Sequence, residues 1–74
     1  MIGKVSEYNN LCKIGYILGY DELTYFYHQS SVLDNMDLNI GDIVSFNYEL
    51  DEEKYKLPYA FNIKKLKNKD LKIN

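Results

Sequence analysis

Ile43-Val44-Ser45-Phe46-Asn47-Tyr48-Glu49-Leu50 alternates without a break: Val44, Phe46, Tyr48 and Leu50 fall on one side, Ser45, Asn47 and Glu49 on the other. Successive side chains of an extended chain point to opposite faces, so a period of two describes a half-buried β-strand. Gly41-Asp42 turns the chain into it, and Asp51-Glu52-Glu53-Lys54 after it reads as a charged hairpin loop. Residues 57–66 form the next strand, with Pro58 near its start, where a missing N–H is tolerated.

Towards the N-terminus the same alternation recurs in short segments punctuated by Gly, Asn and Asp. A strand is expected over residues 2–8, a turn at Asn9-Asn10, and a second strand over residues 13–18. Gly19-Tyr20-Asp21-Glu22 ends that run. Thr24-Tyr25-Phe26-Tyr27-His28 follows, rich in the aromatic and β-branched side chains that suit a pleated surface, and is expected in a central position. Between Gln29 and Ile40 the alternation stops, and Ser30-Ser31-Val32-Leu33-Asp34 suggests at most a capped helical turn or short 3₁₀ segment. The fold class is therefore all-β with five strands, the strand count of both a five-stranded Greek-key OB barrel and an SH3-like barrel, which periodicity does not separate.

With 74 residues the chain can enclose one modest core, so one domain is expected. Eight Tyr and three Phe supply apolar area that offsets this small size. No apolar run approaches the roughly 20 residues that cross a bilayer, and Met1-Ile2-Gly3-Lys4-Val5 lacks the hydrophobic block of a signal peptide. A soluble, cytoplasmic protein without a membrane partner is expected. One cysteine, Cys12, forms no internal disulfide, and with one histidine the chain has too few soft ligands for a structural zinc. No metal or cofactor is expected.

Charge is segregated. Residues 1–53 hold two lysines and ten acids, a formal −8, whereas residues 54–74 hold seven lysines and Asp70 alone, a formal +6. A basic C-terminal third can meet phosphate, or fold back on the acidic part and neutralise it. Residues 67–74 read as a lysine-rich tail to a domain of residues 1–66.

Gly3-Lys4-Val5-Ser6-Glu7-Tyr8-Asn9 is similar to Gly-x-Val-Lys-Trp-Phe-Asn, the opening of the cold-shock domain family, and is the first of five pieces that resemble that family in order. Cys12-Lys13-Ile14-Gly15-Tyr16-Ile17 falls on its first ribonucleoprotein motif, Lys-Gly-Phe-Gly-Phe-Ile, and Tyr25-Phe26-Tyr27-His28-Gln29-Ser30 on the second, Val-Phe-Val-His-Phe. Leu38-Asn39-Ile40-Gly41-Asp42-Ile43-Val44-Ser45-Phe46 resembles Leu-x-x-Gly-x-x-Val-x-Phe, and Ala60-Phe61-Asn62-Ile63-Lys64-Lys65-Leu66 resembles Ala-x-Asn-Val-x-x-Leu. The resemblance implies an OB barrel rather than an SH3-like one. It also implies binding of single-stranded RNA or DNA, with bases stacked on aromatic side chains of the second and third strands and basic groups beside them.

Alternation puts Ile14, Tyr16 and Leu18 on one face of the second strand and Thr24, Phe26 and His28 on one face of the third. If those faces are continuous, Tyr16, Phe26 and His28 make a small aromatic platform. Lys13, Lys54 and Lys56 are the basic candidates, the last two in the loop between strands four and five that borders the binding face of OB folds. Tyr20, Tyr55 and Tyr59 are candidates for further stacking surface. The departures are as specific as the matches: the family's stacking Trp is Glu7 here, the first Phe of its first motif is Ile14, the Phe after its motif His is Gln29, and another Phe falls near Asn35. Cys12 replaces the Lys that begins the first motif. Glu7 is the most adverse of these, because a carboxylate repels phosphate where an indole would stack.

The expected function is thus single-stranded nucleic-acid binding, against the alternative of a protein-interaction or self-associating barrel centred on Ile14 and Leu18. No enzyme is expected. His28 has no Ser or Cys in a nucleophile arrangement, the acids cluster in loops, and the glycines at 3, 15, 19 and 41 are too scattered for a phosphate loop.

Overall fold

The structure, a computed structural model, describes residues 1–50, 53 and 56–67. These residues form five strands, β1 (Ile2–Asn9), β2 (Ile14–Gly19), β3 (Thr24–His28), β4 (Ile43–Glu49) and β5 (Tyr59–Lys65), closed into a barrel in the order β1-β2-β3-β5-β4. β1 pairs antiparallel with both β2 and β4, and β3 meets β5 in parallel through the single pair Phe26 and Tyr59. This is the Greek-key closure of an OB-type barrel, in which every strand has a neighbour on both sides, the β3–β5 seam being the thinnest.

The five strands expected from alternation are present, β3 with the expected bounds and the others with ends shifted by one or two residues. In β4, Val44 and Phe46 enter the core, but Tyr48 is 45% exposed and Leu50, 64% exposed, lies beyond the strand. The expected alternation therefore holds from Val44 to Tyr48, and Leu50 leaves it because the strand ends at Glu49. Tyr48 still packs edge-on against Tyr25 at the barrel mouth, at 5.3 Å.

The core draws alternate residues from every strand: Val5, Ile17, Tyr25, Tyr27, Val44, Phe46, Ala60 and Ile63 are buried. From the connection between β3 and β4, Val32 and Leu38 join them, with Val32 bridged in parallel to Ile63. That connection holds two 3₁₀ turns, Gln29–Ser31 and Leu33–Asn35, where the sequence suggests one short segment.

Two irregularities curve the sheet. The register of β1 on β2 slips between Val5 and Glu7, leaving Ser6 as an extra residue. On β5 an extra residue stands opposite Phe46, and Asn62 takes φ 51. A bulge of this kind bends a strand and increases its twist, which lets a five-stranded sheet close on itself. Gly15 has a separate role: a Cβ there would stand 2.5 Å from the Tyr27 ring, so its missing side chain makes the space Tyr27 fills.

The turns follow their sequence chemistry. Asn9 Oδ1 accepts from the backbone N–H of Leu11 at 2.9 Å and of Cys12 at 3.3 Å, an Asx-type turn. Between β2 and β3, Asp21 accepts from the Leu23 N–H and from the Tyr25 hydroxyl. The Tyr25 hydroxyl holds the Asp21 carboxyl below the usual carboxylate range, and burial first, then Asp21, raises Tyr25 well above the usual phenol range. Asp42 fixes the entry to β4, accepting from the Asn39 N–H at 2.8 Å and pairing with Lys65 Nζ at 3.3 Å.

Candidate nucleic-acid interface

The register of β2 on β3 builds the candidate site. Ile14 pairs with His28, Tyr16 with Phe26 and Leu18 with Thr24, while Gly15, Ile17, Tyr25 and Tyr27 between them face the core. The two sequence-predicted faces are therefore one continuous outer surface. Tyr16 and Phe26 are direct cross-strand neighbours, and His28 follows Phe26 two residues along the same strand. Residues i and i+2 of a strand lie roughly 7 Å apart on one face, about the spacing at which successive bases can be met.

The bulge in β1 decides what stands beside this surface. Because Ser6 is extra, Glu7 comes opposite Tyr16 on the outside while Tyr8 turns opposite Gly15 towards the core and stacks on Tyr27 at 6.4 Å. The Glu7 carboxylate is thereby set next to Tyr16, the middle residue of β2 on this surface. Burial holds the Tyr27 hydroxyl protonated, its pKa pushed up to about 12, and it finds no hydrogen-bond partner among the described residues.

His28 is oriented by its neighbours. Its Nδ1 accepts from the Ser30 backbone N–H at 3.1 Å and lies 2.9 Å from Ser30 Oγ. A backbone N–H can only donate, so Nδ1 is unprotonated and the ring proton of the neutral imidazole sits on Nε2. His28 thus offers an apolar ring face with an N–H donor at its edge.

Lys13, at φ 59, ends the β1–β2 loop, and its Nζ donates to Asn10 Oδ1 at 3.2 Å. It lines an open groove of about 450 Å³ together with Tyr8, Asn10 and His28, so the structure brings Lys13 beside one end of the platform. A second open groove, about 590 Å³, runs along Glu7, Cys12, Ile14, Tyr16 and Ile40. Lys56 is exposed, and its chain neighbour Leu57 lines a hollow with Glu7, Tyr16 and Thr24, which carries this part of the β4–β5 loop to the other side of Tyr16. Lys54 and Tyr55 lie outside the described residues. Tyr20 occupies the β2–β3 turn, at the Leu18 and Thr24 end of the ladder, away from His28.

Two aromatics on β5 extend the outer surface. Tyr59 lies against Phe26 with ring centroids 5.1 Å apart, and Phe61 is 6.4 Å beyond Tyr59 with the planes only 16° from parallel. The Tyr59 hydroxyl hydrogen-bonds to Ser31 Oγ, which anchors that ring from the β3–β4 connection. Tyr59 is a sequence candidate. Phe61 is not, although the pattern Tyr59-Ala60-Phe61 carries the signal: aromatic, small, aromatic is the outward-inward-outward order of a strand whose small residue faces a crowded core. That signal is only three residues long, because the bulge at Asn62 ends the alternation directly after Phe61.

Among the described residues no cluster of His, Cys, Asp or Glu is placed to hold a metal ion, and no helix is long and apolar enough to cross a membrane. In comparisons with known proteins, no family model matches the chain and no curated protein matches it.

Proposed function

We infer that this protein binds single-stranded RNA or DNA as a cold-shock-like OB module, stacking bases on Tyr16, Phe26 and His28 with Lys13 and Lys56 beside the phosphates. The observation that carries this reading is the β2–β3 register, which makes a single outward surface of Ile14/His28 and Tyr16/Phe26. Each stacked base contributes about 1–3 kcal/mol, and every base has a π-face, so binding is tolerant of sequence. Glu7 opposite Tyr16 opposes the phosphate backbone, which sets the expected affinity in the weak to moderate range.

Titration of fluorescently labelled oligo-dT and oligo-U at low salt tests the reading. Saturable binding that weakens as salt rises is the expected result, and no binding at about 100 µM protein would overturn it, because low salt favours phosphate contacts.

A second reading, that the altered face docks a protein or a second copy of the chain, draws on exposed apolar groups near Ile14. Leu11 is 96% exposed and Ile40, 68% exposed, lines the groove shared with Ile14. Sedimentation of the wild type and of Ile14→Asp separates the two readings: a self-associating wild type that Ile14→Asp renders monomeric supports the second, and a wild type that is monomeric at all concentrations removes the self-association form of it.

A further inference from the structure

Four positions that stack bases in the family this chain resembles carry no aromatic here, yet β5 carries two rings on its outer face. The register places them there without ambiguity. Tyr59 pairs with Glu49, Phe61 with Asn47 and Lys64 with Ser45, while Ala60 and Ile63 face the core. Because of the bulge at Asn62, the outward residues of β5 are Tyr59, Phe61, the bulged Asn62 and then Lys64, two rings and a cation with one exposed amide between them.

This row is continuous with the β2–β3 surface. Tyr16 is the cross-strand neighbour of Phe26, the Phe26 ring lies 5.1 Å from Tyr59, and Phe61 follows at 6.4 Å in nearly the same plane orientation. Tyr59 and Phe61 lie within 16° of parallel, whereas Phe26 is tilted 57° from Tyr59, so a strand passing from Phe26 onto β5 turns between those two rings. At the far end Lys64 borders a cleft of about 450 Å³ with Leu33, Asp34, Met36, Lys65 and Lys67. Lys65 is partly neutralised by Asp42 at 3.3 Å, but the third of the chain that supplies β5 carries a formal +6 and suits a polyanion. Across from Tyr16 on β1 stands Glu7, so charge favours a strand that leaves Tyr16 towards β5 rather than towards β1.

We propose that a bound single strand crosses from Tyr16 over Phe26 onto β5, where Tyr59 and Phe61 stack bases and Lys64 meets the phosphate beyond them. The proposal rests on the nucleic-acid reading above and adds β5 to its footprint. Among the described residues, Glu49, opposite Tyr59, is the one carboxylate paired across from this row, and it limits the phosphate contacts to the Lys64 end.

The chain's three phenylalanines give a direct test. In protein labelled only at Phe rings, oligo-dT is added and the NMR signals of Phe26, Phe61 and Phe46 are followed, with Phe46, 3% exposed, as the buried reference. Saturable shifts of Phe26 and Phe61, with Phe46 nearly still, are expected. Shifts at Phe26 with Phe61 unmoved would overturn the β5 path and leave the nucleic-acid reading intact, whereas no shift and no binding would overturn both. Phe61→Leu keeps an apolar cover over the β3–β5 seam while removing the π-face, and is expected to weaken oligo-dT binding about tenfold at unchanged Tm. Unchanged affinity in a folded Phe61→Leu would also overturn it. Lys64→Gln is expected to lower the slope of log affinity against log salt by about one, and an unaltered slope would remove Lys64 from the path.

Discussion

The inner and outer faces of the β2–β3 ladder are made from alternate residues of the same two strands, and aromatics stand on both. Inside, Tyr25 packs edge-on to Phe46 at 4.9 Å, and Tyr27 fills the space over Gly15. Outside, Tyr16 and Phe26 pair across the strands, each partly exposed. One residue of register separates a ring that holds the barrel together from a ring that can meet a ligand. Parity along the strand, not residue type, sets the role.

The largest expected effect that tests this division is Gly15→Ala. The new methyl would stand 2.5 Å from the Tyr27 ring, and overpacking of this kind costs about 1–3 kcal/mol. Thermal unfolding followed by circular dichroism should show a clearly lower Tm. An unchanged Tm would mean that Tyr27 has room to move and that the inner face is less constrained than its contacts indicate.

Tyr16→Ala comes next and should act on the other face. It is expected to weaken oligo-dT binding by about 1–3 kcal/mol, with a smaller fall in Tm than Gly15→Ala causes. A variant with wild-type affinity and a large loss of stability would erase the distinction between the faces.

Tyr27→Phe sharpens the inner side. It removes a buried hydroxyl that has no partner among the described residues, and deleting such a group is neutral or stabilising by up to about 1 kcal/mol. Chemical denaturation reads the sign, and a loss of stability would reveal a partner for that hydroxyl.

The smallest effect belongs to Glu7→Gln on the outer side. Relieving the repulsion of an exposed carboxylate is worth under about 1 kcal/mol in water and less as salt rises. The variant should bind oligonucleotide a few-fold more tightly at low salt and equally at high salt. Tighter binding that persists at high salt would assign Glu7 a role other than charge.

Much of the barrel was legible in the residues. β3 has the bounds read from Thr24-Tyr25-Phe26-Tyr27-His28, and the partition of Tyr16, Phe26 and His28 from Ile17, Tyr25 and Tyr27 follows from a period of two. The misplaced residues have local causes. Leu50 alternates in sequence but lies past the point where a neighbouring strand can bury it, and length relative to the barrel is not written in periodicity. Phe61 keeps the phase of Tyr59 and Ala60, but Asn62, at φ 51, ends the alternation directly after it, so three residues are all the signal the sequence carries there. The position of Glu7 depends on the extra residue Ser6, and nothing in Val5-Ser6-Glu7 marks that slip beforehand.

The sequence by itself determined that this chain is all-β, where its turns fall, and which side chains of each regular strand share a face. Those properties are local: they depend on dihedral preference, turn chemistry and a two-residue repeat. Only the tertiary structure decided that the faces of β2 and β3 join in register, that β5 lies beside β3 through Phe26 and Tyr59, and that Glu7 stands next to Tyr16. Those are matters of pairing between distant segments, and two bulges, each one residue long, reset the pairing that periodicity alone would give.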